Sequence, residues 1–243
     1  MAGIVDAIRT RGWGPIVLEV IVLVVGIGLA FSIDRWWEGI QLRSEEASVL
    51  AELREDFEMS RERLLAGAAA YQNAVESGQK TLELLSASSP PPEDSLKTLI
   101  PQVFHGSSYD PTLVTIDELK GSGRMGIIKD RDLRRALVEF TTLTDGAFGT
   151  LARIDVELWM TRDSPYMSRR FNHQVFRPDQ GEAGRDVLPT PPFPTGLQGI
   201  EEDMEFWNLV VNKMQISAGR AATMSRMAEI CDRVLELIDR AQS

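Results

Sequence analysis

Few side chains in this sequence could act as nucleophiles or metal ligands. The 243 residues include one cysteine and two histidines. Cys231 lies in an apolar helical row, whereas His105 and His173 fall in segments predicted to be loops. A catalytic thiolate needs a base within hydrogen-bond reach; the sequence does not fix where either histidine lies, and Cys231 is predicted to be a small core residue. The patterns H-E-x-x-H and G-x-S-x-G are absent. We therefore expect that the protein is not an enzyme and uses no cofactor and no metal.

One glycine-rich stretch, residues 121–126 (GSGRMG), matches the dinucleotide fingerprint G-x-G-x-x-G letter for letter. That fingerprint requires a strand before the glycines and a helix that opens on them. Here a helical segment precedes the glycines and Ile127-Ile128-Lys129 follows them. Glycines adopt the positive φ that ends a helix or forms a tight turn. The stretch therefore predicts a helix end and a turn.

A locally basic and aromatic segment stands out from the acidic chain, and it is the candidate interaction patch. Arginine binds carboxylate and phosphate through two parallel hydrogen bonds, so the segment could hold an anionic ligand, a lipid head group or an acidic partner. Alternatively, its arginines pair with acids on neighbouring helices. The patch consists of Tyr166, Arg169, Arg170, Phe171, His173, Phe176 and Arg177.

The apolar residues are concentrated near the N-terminus, where residues 15–37 read PIVLEVIVLVVGIGLAFSIDRWW. As a helix, this segment would span about 34 Å, enough for a hydrocarbon core of roughly 30 Å. Trp13 and the pair Trp36-Trp37 stand at its two ends, where interfacial aromatics are expected. A transmembrane anchor is therefore predicted. The alternative is a cleaved signal peptide, with Arg9 and Arg11 in its basic region.

One face of the predicted anchor carries small and polar residues. Gly26 and Ala30 form a small-xxx-small pair that lets helices approach closely, and an intramembrane carboxylate such as Glu19 usually avoids lipid. The hypothesis is packing in a homo-oligomer or against a membrane-protein partner. Alternatively, Glu19 lies near the helix start and reaches the interface. The face contains Glu19, Leu23, Gly26, Ala30, Ile33 and Trp37.

Beyond the anchor, the apolar spacing predicts a sequence of amphipathic helices. Residues 38–87 favour one long helix with apolar positions at Leu50, Leu53, Phe57, Leu64, Ala68, Tyr71, Val75, Leu82 and Leu85, interrupted by Ser60 and Gly78. A short piece is expected at residues 95–104 within an otherwise irregular segment, 88–114. Thr115 and Glu118 have the spacing of a capping box, opening a short helix that closes at Gly121 or Gly123.

The second half of the chain continues the helical pattern. Asp130 is predicted to cap a helix whose stripe is Leu133, Leu137, Phe140, Leu143, Phe148, Leu151, Ile154 and Leu158. Residues 161–200 are rich in proline and are predicted to be irregular. The acids 201–203 favour the start of a final helix of about 40 residues, with Trp207, Val211, Met214, Ala218, Ala221, Ala228, Cys231, Leu235 and Ile238 as its core face.

These elements predict a mainly α protein: one N-terminal transmembrane helix that continues into a long helix, packed with later helices in a water-soluble bundle. The expected division is a flank (1–14), the transmembrane helix (15–37) and an extramembrane helical domain (38–243). A net charge of −10 argues against nucleic acid as a partner. Arg9 and Arg11 precede the anchor, and Arg35 and Arg43 follow its core. Because positive charge is nearly balanced on the two sides, the positive-inside rule favours only slightly an N-terminus in the cytoplasm. The location expected from this bias is the bacterial inner membrane, with the main domain in the periplasm.

Two blocks of the sequence resemble a known family. The first is Glu19-x6-Gly26-Ile27-x2-Ala30 with Asp34-x-Trp36, and the second is Thr115-x2-Glu118-Leu119-x-Gly121-Ser122-Gly123 with Ile127-Ile128-Lys129 and Leu133-x3-Leu137. They resemble a bacterial family of unknown function, whose members are single-pass, N-terminally anchored helical membrane proteins. Trp37 and Gly39 depart from its usual juxtamembrane segment. The resemblance implies the architecture and no activity.

The function expected from the sequence is that of a membrane-anchored scaffold or accessory subunit that self-associates or binds a membrane complex, in contact with membrane lipid. One alternative is an oligomeric channel or transport component in which Glu19 lines the pathway. A second alternative is an extracytoplasmic domain that senses a ligand.

Overall fold

The computed structural model describes residues 13–104, 111, 113–172 and 192–242. Every regular element in these ranges is helical, which confirms the prediction of a mainly α helical bundle. The α-helices are α1 (Trp13–Leu85), α2 (Glu93–Phe104), α3 (Val114–Gly121), α4 (Arg131–Thr144), α5 (Leu151–Leu158), α6 (Ser164–Arg170) and α7 (Met204–Gln242). Short 3-10 segments occur at Arg124–Ile127 and Ile200–Glu202, and π-helical segments at Asp145–Thr150 and Trp159–Asp163.

The chain divides into two units, Met1–Ala51 and Glu52–Ser243. In the first unit, the described side chains from Leu18 to Trp37 are all exposed. Among the residues that the structure describes, no helix reaches the length and hydropathy of a membrane span. The predicted transmembrane helix therefore has no support from the structure.

In the second unit, α1 and α7 pack antiparallel. The side chain of Arg54 contacts Asp239 and donates to the Gln242 side-chain oxygen at 3.2 Å. Further along α1, Arg61 pairs with Asp232. Residue numbers therefore rise along α1 as they fall along α7, and this register places the C-terminal turns of α7 beside residues 54–61 of α1.

The face that α1 buries in this unit follows a heptad pattern, with residues alternating three and four apart. One row of this face is Leu53, Ser60, Gly67, Ala74 and Thr81, and the other is Phe57, Leu64, Tyr71, Gly78 and Leu85; all are buried except the half-buried Tyr71. Ser60 and Gly78, which were predicted to interrupt the stripe, therefore belong to the buried face. Small residues at these positions let neighbouring helices approach α1 closely.

Helix α4 completes the core with α1 and α7. Phe140 of α4 lies against Phe57 of α1, with ring centroids 4.9 Å apart, and Arg233 of α7 pairs with Glu139 of α4. The predicted cap of α4 is confirmed, because the Asp130 carboxylate accepts hydrogen bonds from the amides of Asp132 and Leu133, both at 2.8 Å.

The predicted apolar stripe of α4 ends where the backbone changes its winding. Leu133, Leu137 and Phe140 are buried, but Ile154 is 43% exposed. The reason is the π-helical segment Asp145–Thr150. A π turn adds residues to the helix and rotates the following side chains out of the 3.6-residue phase. Ala147, inside this segment, is buried instead.

The start of α3 differs from the predicted capping box. Thr115 lies inside the helix, and the N-cap position, Leu113, makes no side-chain cap. The Thr115 amide instead donates to the Asp56 carboxylate of α1 at 3.1 Å. A cap supplied across a helix interface cannot be read from local spacing, which explains the wrong prediction.

The core face of α7 is rotated relative to the prediction in its first half. Phe206, Leu209 and Val210 are buried, whereas Trp207 is 36% exposed and Ala218 is also exposed. Four of the predicted core positions are correct, namely Ala221, Ala228, Cys231 and Ile238. The rotation arises because α7 packs on both α1 and α4, so its buried surface is wider than one stripe.

Two segments predicted to be irregular contain helices. The expected short piece within 88–114 is α2, whose buried side chains are Leu96, Ile100 and Val103. Within 161–200, the described part starts with the end of a π-helical segment and α6. Both helices contribute to the core near the N-terminal end of α7.

Candidate functional site

The predicted patch begins in an aromatic corner formed by α6 and the first turn of α7. Tyr166 and Phe171 are 5% and 4% exposed, and Phe206 is fully buried. The ring of Phe171 meets that of Phe206 edge-on at 5.5 Å, and the ring of Tyr166 stacks near Phe206 at 6.5 Å. These aromatics are therefore core residues, unavailable as a surface for stacking a ligand.

A single carboxylate, that of Asp203, organises the polar side of this corner. One oxygen accepts the hydroxyl hydrogen bond of Tyr166 at 2.7 Å and lies 3.3 Å from the guanidinium Nε of Arg170. The other oxygen accepts the Phe206 amide at 3.0 Å, which caps the start of α7. Asp203 thus ties α6 to the start of α7 through two contacts and caps α7 through a third.

The titration of this cluster reflects its contacts. Burial raises the pKa of the Asp203 carboxyl, but hydrogen bonds from Phe206 and Tyr166 and the charge of Arg170 outweigh burial and leave its pKa below the ordinary value. Burial, aided by the hydrogen bond to Asp203, raises the pKa of the Tyr166 hydroxyl far above its usual range. At neutral pH the cluster therefore holds an ionised Asp203 and a protonated Tyr166.

A loop closes over the end of α6 beside this cluster. Gly196 has a φ of +82°, and a Cβ built there would lie 2.0 Å from the carbonyl oxygen of Arg170. Only glycine meets both conditions. The guanidinium of Arg170 also donates to the carbonyl of Gln198 at 2.8 Å, so this side chain is used within the fold.

The structure thus separates the predicted patch residues. Tyr166, Arg170 and Phe171 meet in the buried corner, whereas Arg169 is exposed. His173, Phe176 and Arg177 lie outside the described residues. For Arg170, the contacts match the alternative of pairing with an acid on a neighbouring helix. Sequence analysis found an acid at the start of α7 but missed its partners in α6, Arg170 and Tyr166, the latter 37 residues earlier in the chain.

The second set of predicted site residues is the face of the N-terminal helix proposed for helix packing, and its described side chains are exposed in the first unit. Leu23, Ile33 and Trp37 are 62%, 62% and 57% exposed. Glu19, Gly26 and Ala30 are exposed as well, and a Cβ added at Gly26 would meet nothing within 4 Å. The backbone at Gly26 is therefore open to close approach by another helix.

The remaining candidates for chemistry have structural roles. Helix α3 ends at Gly121, and Gly123 has a φ of +70° before a 3-10 turn. This confirms the predicted helix end and turn. Burial, reinforced by the charge of Asp232, raises the pKa of the Cys231 thiol to about 12. In the described ranges, no three His, Cys, Asp or Glu side chains lie together in a way that could hold a metal ion.

No family model, curated protein or solved structure matches this chain.

Proposed function

We propose that this chain is a membrane-anchored, non-enzymatic scaffold or accessory subunit that self-associates or binds a membrane complex. One observation carries the proposal: the side chains from Leu18 to Trp37 are all exposed and include the uninterrupted apolar run at residues 20–31, whereas the second unit buries many of its apolar residues in a core of its own. An exposed apolar surface of this kind requires a lipid or protein cover.

The composition of the apolar stretch favours lipid as the environment that covers most of the helix surface. Branched aliphatic side chains cover most of the helix outside the face that contains Glu19, Gly26 and Ala30, as expected for a surface in hydrocarbon, and Trp36 and Trp37 stand where an interface would be. The slight bias of flanking arginines favours a periplasmic second unit. The six-residue face of Glu19, Leu23, Gly26, Ala30, Ile33 and Trp37 is the proposed contact with a second copy or a membrane-protein partner.

Extraction from native membranes tests the anchor. We expect the full chain to stay with the membrane pellet in alkaline carbonate and to be released only by detergent. Release by carbonate alone would contradict the anchor. Native mass measurement in mild detergent then reports subunit number and any co-purifying protein. A lone monomer without partners would contradict the scaffold.

Substitutions on the contact face test self-association. Gly26→Leu combined with Glu19→Gln should strongly reduce cross-linked oligomers, because a leucine side chain separates the backbones at the closest point. Gly28→Leu is the matched control, since Gly28 is equally open and points about 200° away around the helix. Equal cross-linking of both variants would contradict the proposed face.

A further inference from the structure

We propose that two copies of the second unit pair with each other through their α7 helices, which run antiparallel in the pair. This self-contact goes beyond the anchor face of the proposed function, because it involves residues of the second unit alone. Its surface, the outer stripe of α7, is defined as Met204, Trp207, Val211, Ala218, Ala222 and Ser225.

The outer stripe is an apolar face that the core of the second unit does not cover. Its residues are three, four or seven positions apart and therefore share one side of the helix. The core side chains of α7 lie about 120° away around the same helix. Met204 and Trp207 are 76% and 36% exposed, Ala218 and Ala222 are exposed, and the other two are half-buried. Such a face in a folded unit marks a contact with a partner.

The outer stripe is complementary in size to its own reverse, because its first half carries large side chains and its second half small ones. With a two-fold axis between residues 214 and 215, Trp207 of one copy faces Ala222 of the other. The same reversal places Met204 and Val211 opposite Ser225 and Ala218, respectively. Each large side chain thus meets a small one, which lets two helices pack closely. A parallel pair would instead set Trp207 against Trp207, so the pattern favours a second copy in reverse order.

A groove beside the small half of the stripe gives the large residues a place to enter. It lies between α1 and α7 and has a volume of about 560 Å³. Its α7 side includes Ala218, Ala222 and Ser225, and its α1 side includes Val75 and Glu76. An aromatic side chain seated in a closely fitting pocket typically carries much of the binding energy of an interface. Because Ala222 lines the groove, the facing tryptophan of the second copy is the side chain that we expect to fill it.

The charges beside the outer stripe favour the same order. Glu205 flanks the large half and Arg226 flanks the small half, on the same side of the stripe, and both are exposed. Reversal brings Arg226 of each copy near Glu205 of the other, and the two-fold axis repeats this pair. In a parallel dimer Arg226 would face Arg226. An exposed ion pair adds little affinity, but it discriminates between the two orders. Glu229 lies beyond Ser225, outside the paired stretch.

Disulfide cross-linking of the full-length protein in mild detergent tests the pairing. The native Cys231 is buried, so the introduced cysteines are the reactive thiols. Gln215→Cys is an exposed position next to the two-fold axis and should yield a covalent dimer on mild oxidation. Ala222→Cys alone should not, because its two copies lie roughly 22 Å apart along the helices. Mixing Ala222→Cys with Trp207→Cys should yield the cross-linked heterodimer.

The absence of a Gln215→Cys dimer would overturn the contact, and a dimer of Ala222→Cys alone would overturn its antiparallel order. Ser88→Cys, in the exposed turn after α1, controls for random collision. It lies far from the two-fold axis, because the C-terminal end of α1 packs beside the start of α7, and it should stay monomeric.

An exchange of sizes tests whether the two facing positions are complementary. Ala222→Trp should remove most of the Gln215→Cys dimer, because two tryptophans then occupy one site. Adding Trp207→Ala to the same chain should restore the dimer, and failure to restore it would contradict the facing of these positions. Ala66→Trp is the matched control, since Ala66 is an exposed alanine of α1 about 120° around that helix from the groove. It should leave the dimer unchanged.

A last variant separates this contact from the anchor face. Gln215→Cys is combined with Gly26→Leu and Glu19→Gln, and the dimer linked at residue 215 should persist. Its loss would contradict a contact made by the second unit itself. Oligomers that require the anchor face, without any link at residue 215, would overturn the outer stripe and leave the proposed function intact. If Ala222→Trp loses its helical circular dichroism, the Trp207→Cys and Ala222→Cys mixture decides.

Discussion

At the residue scale, the carboxylate of Asp203 determines how α6 meets α7. It receives the Tyr166 hydroxyl and the Phe206 amide and lies beside the Arg170 guanidinium. A charge-assisted hydrogen bond contributes roughly 1.5–3 kcal/mol to stability, and removal of one partner leaves the others unsatisfied. The aromatic corner therefore depends on a charged group that sequence analysis treated only as a helix-dipole acid.

We predict that Asp203→Asn lowers the free energy of unfolding by about 1–2 kcal/mol at pH 7. The pKa of Asp203 is lowered in the folded state, so its stabilisation is complete above the unfolded pKa of about 3.9 and is lost as the pH falls through the folded pKa. The gap between the native protein and Asp203→Asn should narrow with acid in urea unfolding. Glu201→Gln is the control, and a gap that stays constant down to the lowest pH would contradict the assignment.

At the element scale, helical periodicity predicted that the helices exist. It did not always predict which face of a helix is buried. The apolar positions of the α1 stripe and the Asp130 cap were predictable because both are local patterns, but Ser60 and Gly78 were taken as interruptions of that stripe and are buried. The exposure of Ile154 was not, since the π-helical segment before it has no sequence signature of its own. The cap of α3 was also hidden, because Asp56 lies 59 residues away along the chain.

The same limit applies to the candidate site. The aromatic and arginine residues of α6 were recognised as unusual, but their environment was not. Tyr166 and Arg170 acquire Asp203 as a partner only when α7 packs beside α6. Residue spacing along the chain does not predict that contact. The exposed apolar stretch, by contrast, was fully visible in the sequence because its composition is extreme.

Because α1 packs closely on α7, replacing a glycine of α1 by alanine should destabilise the protein, whereas this change usually stabilises a helix. A Cβ at Gly78 would lie 2.3 Å from Cγ of Met214, so Gly78→Ala should cost roughly 1–3 kcal/mol through overpacking. At an open helical position such as Gly219, the same change should stabilise the protein by up to about 1 kcal/mol. Thermal unfolding of both variants measures the difference.

A double-mutant cycle identifies the contact responsible. Combining Gly78→Ala with Met214→Ala should cost less than the sum of the two single changes, because removing the methionine side chain makes room for the new methyl group. Additive costs would show that Gly78 is required for another reason.

At the scale of the whole molecule, Cys231 reports on the integrity of the bundle. Its side chain is fully buried, and its pKa of about 12 leaves almost no thiolate at pH 8. We predict that a thiol reagent modifies Cys231 only through unfolding, at a rate that rises in parallel with the unfolded fraction in urea. Rapid modification in native buffer would contradict a closed core. Ser88→Cys, with its exposed thiol, should react at once and serves as the positive control.

The pairing of α1 with α7 also sets the order in which the second unit can assemble. The ion pairs Arg54–Asp239 and Arg61–Asp232 join residues 185 and 171 positions apart. Contacts of such long sequence separation slow folding, because the intervening chain must be closed before they form. During translation, the side chains of α1 that face α7 stay uncovered until α7 leaves the ribosome. A nascent chain that ends before residue 204 therefore leaves exposed the apolar side chains that α7 covers in the folded protein.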